Sequence, residues 1–317
     1  MNAVFGISDE VMKTLTESWS DKSIKQYNTY LKCWFQFCHN KKCDPGPDVP
    51  VPIILDFLNY LHKRKDLSYS AINSARSALS AVLLPKDGYE IGKHPLVCRL
   101  MKAVFRAKPS LPKYNKVWDI GLLVSYLRQY GCVDSLDRKS LSVKLLALLQ
   151  ISTAGRLSTL HSIKISDLHW DNGCLIIQIS NLLKTSRPSF HQSPYRFDCY
   201  TENILCVNCH VRQYLVDTAG VENRSEYLFL TYQAPYSRAS LDTLRRWMKD
   251  ILRKAGVPLG YGAHSVRTAS VSAAFSRGLE VETILKTGGW SSEKTFQKHY
   301  NREIRSENQP FVHKVLL

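Results

Sequence analysis

The chain has 317 residues, 44% of them apolar, with a formal net charge of +16 and a pI near 9.4. That composition can build two domains with ordinary cores, and no apolar run approaches the roughly 18 residues of a membrane span. The positive surplus is spread along the chain, which predicts a polyanionic partner, nucleic acid first and an anionic membrane surface second; no Lys/Arg-studded amphipathic helix favours the second. The start, MNAVFGISDEVMK, lacks a basic segment followed by an apolar one, so no secretory signal is expected. Nine cysteines, an odd number scattered among apolar positions such as Cys33, Cys38, Cys98 and Cys174, favour free thiols in a reducing compartment.

Residues 1–108 read as helical throughout. Ser8 to Trp19 is a short helix. From Asp21, Ile24, Tyr27, Leu31, Trp34, Phe35 and Cys38 recur at helical spacing, and the Pro45–Pro52 segment breaks the pattern. Ile53, Ile54, Phe57, Leu58 and Leu61 form the next stripe and end in His62-Lys63-Arg64-Lys65. Ser68 caps a helix through Ile72, Ala75, Leu79 and Val82, which Pro85 stops. Leu96, Val97, Leu100, Met101, Val104 and Phe105 form the last helix of the small bundle. Its basic residues, among them Lys22, Lys25, Lys63, Arg64, Lys65, Arg76, Arg99 and Arg106, lie mostly off the apolar stripes. A solvated face or a set of phosphate contacts explains them. Residues 109–118, with Pro109 and Pro112, read as a linker to a second domain over 119–317.

The second domain opens with helices over Asp119–Tyr130 and Asp137–Thr153, the latter with Leu141, Leu145, Leu148 and Leu149 on an apolar face. It ends in Ala154-Gly155-Arg156, where glycine before arginine lets the guanidinium project from a tight turn. Leu175–Ser180 and Tyr195–Tyr200 read as a β-hairpin whose turn-rich connection carries Lys184 and Arg187. Helices follow at Ile204–Asp217 and, with Arg245 and Arg246, at Arg238–Ala255. Cys206-Val-Asn-Cys209-His210 formally matches the attachment pattern of c-type haem, but no second haem feature accompanies it. Zinc would want a partner pair that is also missing.

Residues 263–302 concentrate the chemistry. His264 and Arg267, three apart at a helix start, point to one side, and the helix stops at Gly278. A second helix, Glu280–Thr287, ends at Gly288-Gly289, followed by Trp290. Ser292 is a candidate N-cap for a third helix bearing Phe296 and Tyr300 one turn apart. An imidazole, a guanidinium, an indole N–H and a phenol within forty residues suit a phosphodiester: the guanidinium grips non-bridging oxygens, the imidazole holds or accepts a proton, and the phenol attacks.

His-Ser-Val-Arg, then Gly-Gly-Trp-Ser-Ser, then the tyrosine of His-Tyr-Asn-Arg resembles the C-terminal half of the tyrosine recombinase (phage integrase) family. The wording is most similar to recombinases of eukaryotic mobile elements of the Crypton and DIRS/Ngaro kind. The resemblance implies a mainly α fold with a small β-hairpin or sheet: an N-terminal helical core-binding domain and a mixed α/β catalytic domain that form a C-shaped clamp on DNA. It implies that Arg156 and Arg267 hold the two non-bridging oxygens, that His264 and the Trp290 N–H add hydrogen bonds, with His264 alternatively the base, and that Lys184 protonates the 5′-oxygen. Arg187 competes with Lys184 for that role. Tyr300 would form a 3′-phosphotyrosine. Where many members have an acidic residue three after the first arginine, this chain has Thr159.

No metal or other cofactor is expected, because the arginines carry the electrostatic role. Double-stranded DNA is the implied partner, with Lys22, Lys25, Lys63, Arg64, Lys65, Arg76, Arg187, Arg245 and Arg246 as candidate contacts. The family further implies a dimer on one site, a tetramer in the synapse and a nuclear location; the C-terminal tail, Gln309–Leu317, is a candidate for docking on a neighbour. Type IB topoisomerase-like relaxation and a domesticated, catalytically silent DNA-binding protein are the alternatives.

Overall fold

The computed structural model describes residues 8–46, 49–83, 90–110, 116–188, 190–290, 293, 296–297 and 300. The expected stop at Pro85, the Ser292 cap and the Gln309–Leu317 tail lie outside the described residues. The chain divides into two compact units, Met1–Lys113 and Tyr114–Leu317.

The first unit holds five helices: α1 (Asp9–Glu17), α2 (Asp21–Lys41), α3 (Val51–Lys63), α4 (Tyr69–Ser80) and α5 (Pro95–Ala107). Ser8, Ser20 and Ser68 cap α1, α2 and α4 by accepting the backbone N–H three positions on, contributing about 1 kcal/mol each. The core face of α2 differs from the expected stripe: Phe37 is buried and Phe35 is 52% exposed. Phe37 stacks with Trp34 and reaches Phe57 and Tyr60, whereas Phe35 stands one position past Trp34, about 100° round the helix. On α5, Val97, Met101 and Val104 are buried, while Leu96 and Phe105 are exposed.

The second unit has helices α6 (Gly121–Arg128), α7 (Arg138–Thr153), α8 (Leu157–His161), α9 (Val207–Thr218), α10 (Leu241–Lys254), α11 (Ala263–Ser276) and α12 (Val281–Gly288). Three antiparallel strands accompany them, β1 (Leu168–Asp171), β2 (Cys174–Ile177) and β3 (Tyr195–Phe197), in the order β1-β2-β3. The expected mainly helical fold with a small sheet is what forms. Three local expectations change. The sheet gains β1, joined to β2 by Asn172-Gly173, both at positive φ, the Asn-Gly signal of a tight hairpin. The linker ends earlier than expected, because Val117 and Trp118 are buried and the Trp118 indole donates to Ser265 Oγ at 2.9 Å. Arg238 precedes α10 instead of opening it, its residue bridging Leu230 and its guanidinium lying on the Tyr227 ring.

Helix α7 is central rather than one-sided. Every residue from Leu141 to Gln150 is buried, including Ser142, Lys144 and Gln150. Lys144 is 0% exposed, donates to the Gly131 carbonyl at 2.9 Å and meets no carboxylate among the described residues. Burial lowers its pKa to about 8, against an ordinary 10.5. A lysine whose folded pKa is depressed costs stability at pH values where both states are protonated, and that cost fades as pH rises from about 8 towards 10.5. Lys144→Met is therefore expected to raise the melting temperature at pH 7, by on the order of 1–3 kcal/mol of stability. The gap between variant and wild type should narrow on approaching pH 10; an equal or lower melting temperature for the variant at pH 7 contradicts this account.

Candidate active site

Three short devices build the site. The first is the end of α7, where Ala154 takes the left-handed conformation (φ 47°) and Thr153 Oγ1 accepts the Gly155 N–H at 2.9 Å. A Cβ on Gly155 would stand 2.7 Å from that hydroxyl, so the turn needs glycine, and it delivers Arg156 to the cap position of α8. The second is the first turn of α11, which carries His264 and Arg267. The third is the end of α12, where Gly289 (φ 68°) closes the helix and turns the chain into Trp290.

Arg267 is 1% exposed. Its guanidinium donates to the Ala154 carbonyl and, at 2.7 Å, to the Gly288 carbonyl, and so ties the first device to the third. It lies 3.6 Å from the centre of the Trp290 ring and 5.3 Å from that of Tyr300. No carboxylate among the described residues pairs with it. Burial lowers its pKa to about 10, with Arg156 adding repulsion and Tyr300 opposing the shift, so it stays charged at neutral pH. A buried cation held by carbonyl dipoles, ring faces and the Tyr300 hydroxyl, with no carboxylate among the described residues, is incompletely compensated. Its Nε–H and the Nε1–H of Trp290 have no acceptor among the described residues, although both atoms are buried. Two such donors side by side favour an anion with several acceptor oxygens.

Tyr300 closes the same cluster. Its ring lies 4.7 Å from Trp290 and 6.0 Å from His264, both edge-on. Its backbone N–H donates to the Phe296 carbonyl at 2.8 Å, as the one-turn spacing predicts, and its carbonyl accepts from Ser272 Oγ at 2.9 Å. Phe296 is fully buried against Trp290 and Phe275, which anchors the turn that presents the phenol. His264 has a lowered pKa, from burial first and then from Arg267 and Arg156. It is therefore neutral at pH 7, with one ring nitrogen to donate and one to accept.

The structure thus brings together Arg267, His264, Trp290 and Tyr300, and Arg156 is close enough to shift the titration of Arg267 and His264. Arg156 meets no carboxylate among the described residues, and Thr159 is buried inside α8. Lys184 is placed differently: it is exposed in a turn of the long connection between β2 and β3, with no described contact to the cluster. Arg187 is exposed there too, its guanidinium 5.4 Å from the Phe190 ring. Of the candidate DNA contacts, Lys22, Lys25, Lys63, Arg64, Lys65, Arg245 and Arg246 are exposed. Arg76 is half-buried and donates to the Gly92 carbonyl at 3.2 Å, so its guanidinium is used inside the helical unit.

Three neighbours of the cluster were not legible as functional from sequence. Tyr195, paired with Ile177 on β3, is 5% exposed near both arginines; burial pushes its phenol up to about 12 while Arg267 and Arg156 oppose the shift. Its inward place in the alternation of β3 was the available signal. Gln192 donates to the Thr287 carbonyl at 3.3 Å and links the β2–β3 connection to the end of α12. Lys286 joins Ser152, Tyr195 and Arg196 around an open groove of about 450 Å³, and nothing in its spacing marked it.

Gly288 is required by close approach. A Cβ there would stand 1.8 Å from the Trp290 ring. Gly288→Ala is expected to displace the indole from Arg267 and, for the strand cleavage that the resemblance implies, to lower the rate by about tenfold or more, in line with loss of one positioned donor. Near-ultraviolet circular dichroism and single-turnover cleavage check this, and unchanged cleavage would sever the indole from the site.

The model of the Phage integrase family matches residues 130–307, more than half of the chain, and the chain belongs to that family. Solved structures agree in fold. A post-cleavage complex of the XerH site-specific recombinase with palindromic difH substrate has a TM-score of 0.56 at 16% identity, covering 82% of this chain and 71% of that one. The Tn1549 transposon integrase in complex with transposon right end DNA has a TM-score of 0.54 at 14% identity, covering 85% and 86%. A lambda integrase dimer bound to a COC′ core site has a TM-score of 0.54 at 14% identity, covering 96% and 79%. No curated protein matches the chain significantly.

Proposed function

We propose that this protein is a site-specific DNA recombinase that cuts and rejoins strands through a 3′-phosphotyrosine. The observation that carries the reading is the cluster of Arg267, Trp290, His264 and Tyr300, in which two buried N–H donors lack acceptors among the described residues beside a phenol. Arg156 and Arg267 bind the non-bridging oxygens of the scissile phosphate and offset the charge that develops as Tyr300 attacks. The Trp290 N–H and neutral His264 add hydrogen bonds, with His264 alternatively the base that takes the phenolic proton. Lys184 protonates the departing 5′-oxygen when its connection closes on the duplex. The phosphotyrosine conserves the energy of the broken bond, so a second strand's 5′-hydroxyl can displace it and rejoin the backbone.

The exposed basic residues of the helical unit serve as phosphate contacts, consistent with its proposed core-binding role. Two protomers on a site and four in a synapse, a nuclear location and a role in moving a Crypton- or DIRS-type element complete the proposal. The last rests on the Gly-Gly-Trp-Ser-Ser wording. Footprinting on the DNA that flanks the native gene should define a bound site. A nicked suicide duplex over that site should then capture the wild-type protein, and peptide mapping should find DNA on the tryptic fragment that contains Tyr300. Binding without any adduct would reduce the protein to a DNA-binding module. Relaxation of supercoiled DNA without strand exchange would indicate the topoisomerase-like alternative.

A further inference from the structure

The segment Cys206-Val-Asn-Cys209-His210 takes no part in strand transfer. It opens α9, with Cys206 at the cap position. The Cys206 sulfur accepts the backbone N–H of Tyr200 at 3.3 Å and that of Cys209 at 3.5 Å. Cys199, on the segment after β3, lies 3.8 Å from Asn208 Nδ2, and Cys174 begins β2, the strand paired with β3. Four of the nine cysteines therefore gather at one end of the sheet.

His210 is fully buried, with a ring nitrogen 2.7 Å from the Cys206 carbonyl, so it belongs to the helix core rather than to the thiols. Among the described residues no three His, Cys, Asp or Glu side chains are arranged to hold a metal. What the geometry offers instead is a pair of thiols three residues apart in a helical first turn, one of them doubly hydrogen-bonded at sulfur. Cysteines at this spacing come within bridging range. For Cys206, burial raises the thiol's pKa, but the amides of Cys209 and Tyr200 outweigh it and the net shift is downward. Cys209 is pushed up to about 11, by burial and by its neighbour Cys206.

We propose that Cys206 and Cys209 form an oxidisable dithiol, which a small peroxide converts to an intramolecular disulfide. The Cys206 thiolate attacks one peroxide oxygen, the O–O bond breaks, and sulfenic acid forms with release of hydroxide, which takes up the proton lost from the thiol. The Cys209 sulfur then displaces the sulfenic hydroxyl as a second water, so that two thiols and one hydrogen peroxide give one disulfide and two waters. Cys206 itself is buried, so the peroxide reaches its sulfur past Cys209, which is partly exposed. The product turns the thiolate that accepts the Tyr200 N–H into a weaker, uncharged disulfide sulfur and so loosens the segment that follows β3.

The test treats the intact protein with increasing hydrogen peroxide, blocks remaining thiols with iodoacetamide and maps peptides by mass spectrometry. Cys206 and Cys209 should be lost together, with two hydrogens missing from their fragment, about tenfold faster than exposed Cys33 and Cys132 are modified, and dithiothreitol should restore them. The Cys199→Ser protein should behave identically. In the Cys209→Ser protein, checked for fold by circular dichroism, Cys206 should stop at a sulfenic acid that dimedone traps. Earlier oxidation of Cys33 or Cys132 with both α9 thiols intact, or a disulfide that disappears in the Cys199→Ser protein, overturns the proposal.

Discussion

Replacing Tyr300 by phenylalanine is expected to eliminate the covalent protein–DNA adduct while duplex affinity stays within about twofold, since most affinity comes from dispersed phosphate contacts. The substitution removes one oxygen and keeps everything that seats the residue: the backbone bonds to Phe296 and from Ser272, and the ring edges against Trp290 and His264. Loss of the adduct therefore reports the nucleophile and not a misplaced helix. Tyr195 is the nearby phenol that could substitute, but it is buried and its pKa is pushed up to about 12, so it stays protonated. Denaturing gels of the suicide duplex read the outcome. An adduct that persists in the Phe variant would move the nucleophile elsewhere and dissolve the proposed mechanism.

The second large effect is at Arg267. Arg267→Ala is expected to slow adduct formation by at least 10²–10³-fold, the cost of deleting a preorganised group that stabilises developing charge. It should also destabilise the catalytic unit by on the order of 2–4 kcal/mol, because the carbonyls of Ala154 and Gly288 lose their donor and a cavity opens beneath Trp290. Those two losses can be separated. Arg267→Lys keeps a cation, but its single ammonium nitrogen lacks the planar fork that spans both carbonyls while aiming a further N–H at a phosphate, so cleavage should remain low while much of the stability returns. Arg156 is only half-buried, and Arg156→Ala should abolish cleavage with little change in melting temperature. Single-turnover cleavage and thermal melts on the three variants check the pattern. Near-normal cleavage by either alanine variant would remove that arginine from the site.

The helices of the first unit were legible because their apolar residues recur at helical spacing and a serine stands at three of the N-termini. What periodicity could not resolve was which of two adjacent aromatic residues faces inward, and Phe37 rather than Phe35 does. Strand β1 was missed because His169 and Asp171 make it look polar, although Asn172-Gly173 announced the hairpin. Helix α7 read as one-sided because serine, lysine and glutamine seldom lie buried; here neighbours on several sides enclose them and carbonyl groups accept their protons. At the site, the glycines and the spacing of His264, Arg267, Trp290 and Tyr300 were visible in the chain. The contributions of Tyr195, Gln192 and Lys286 were not, since they arrive from β3, the β2–β3 connection and the groove-facing side of α12.

The sequence by itself determined that this chain is basic, mainly helical and in possession of an imidazole, two guanidiniums, an indole and a phenol at informative spacings. Local rules are enough for that: helical periodicity, capping, and the need for glycine where the backbone turns left-handed or rings press close. Only the tertiary structure decided that Arg267 is buried between the rings of Trp290 and Tyr300, with its Nε–H and the indole N–H meeting no acceptor among the described residues. The reason is that burial and desolvation are properties of elements packed together. Ala154 and Gly288 lie 113 and 21 residues from Arg267, and no local pattern encodes which carbonyls will meet one guanidinium.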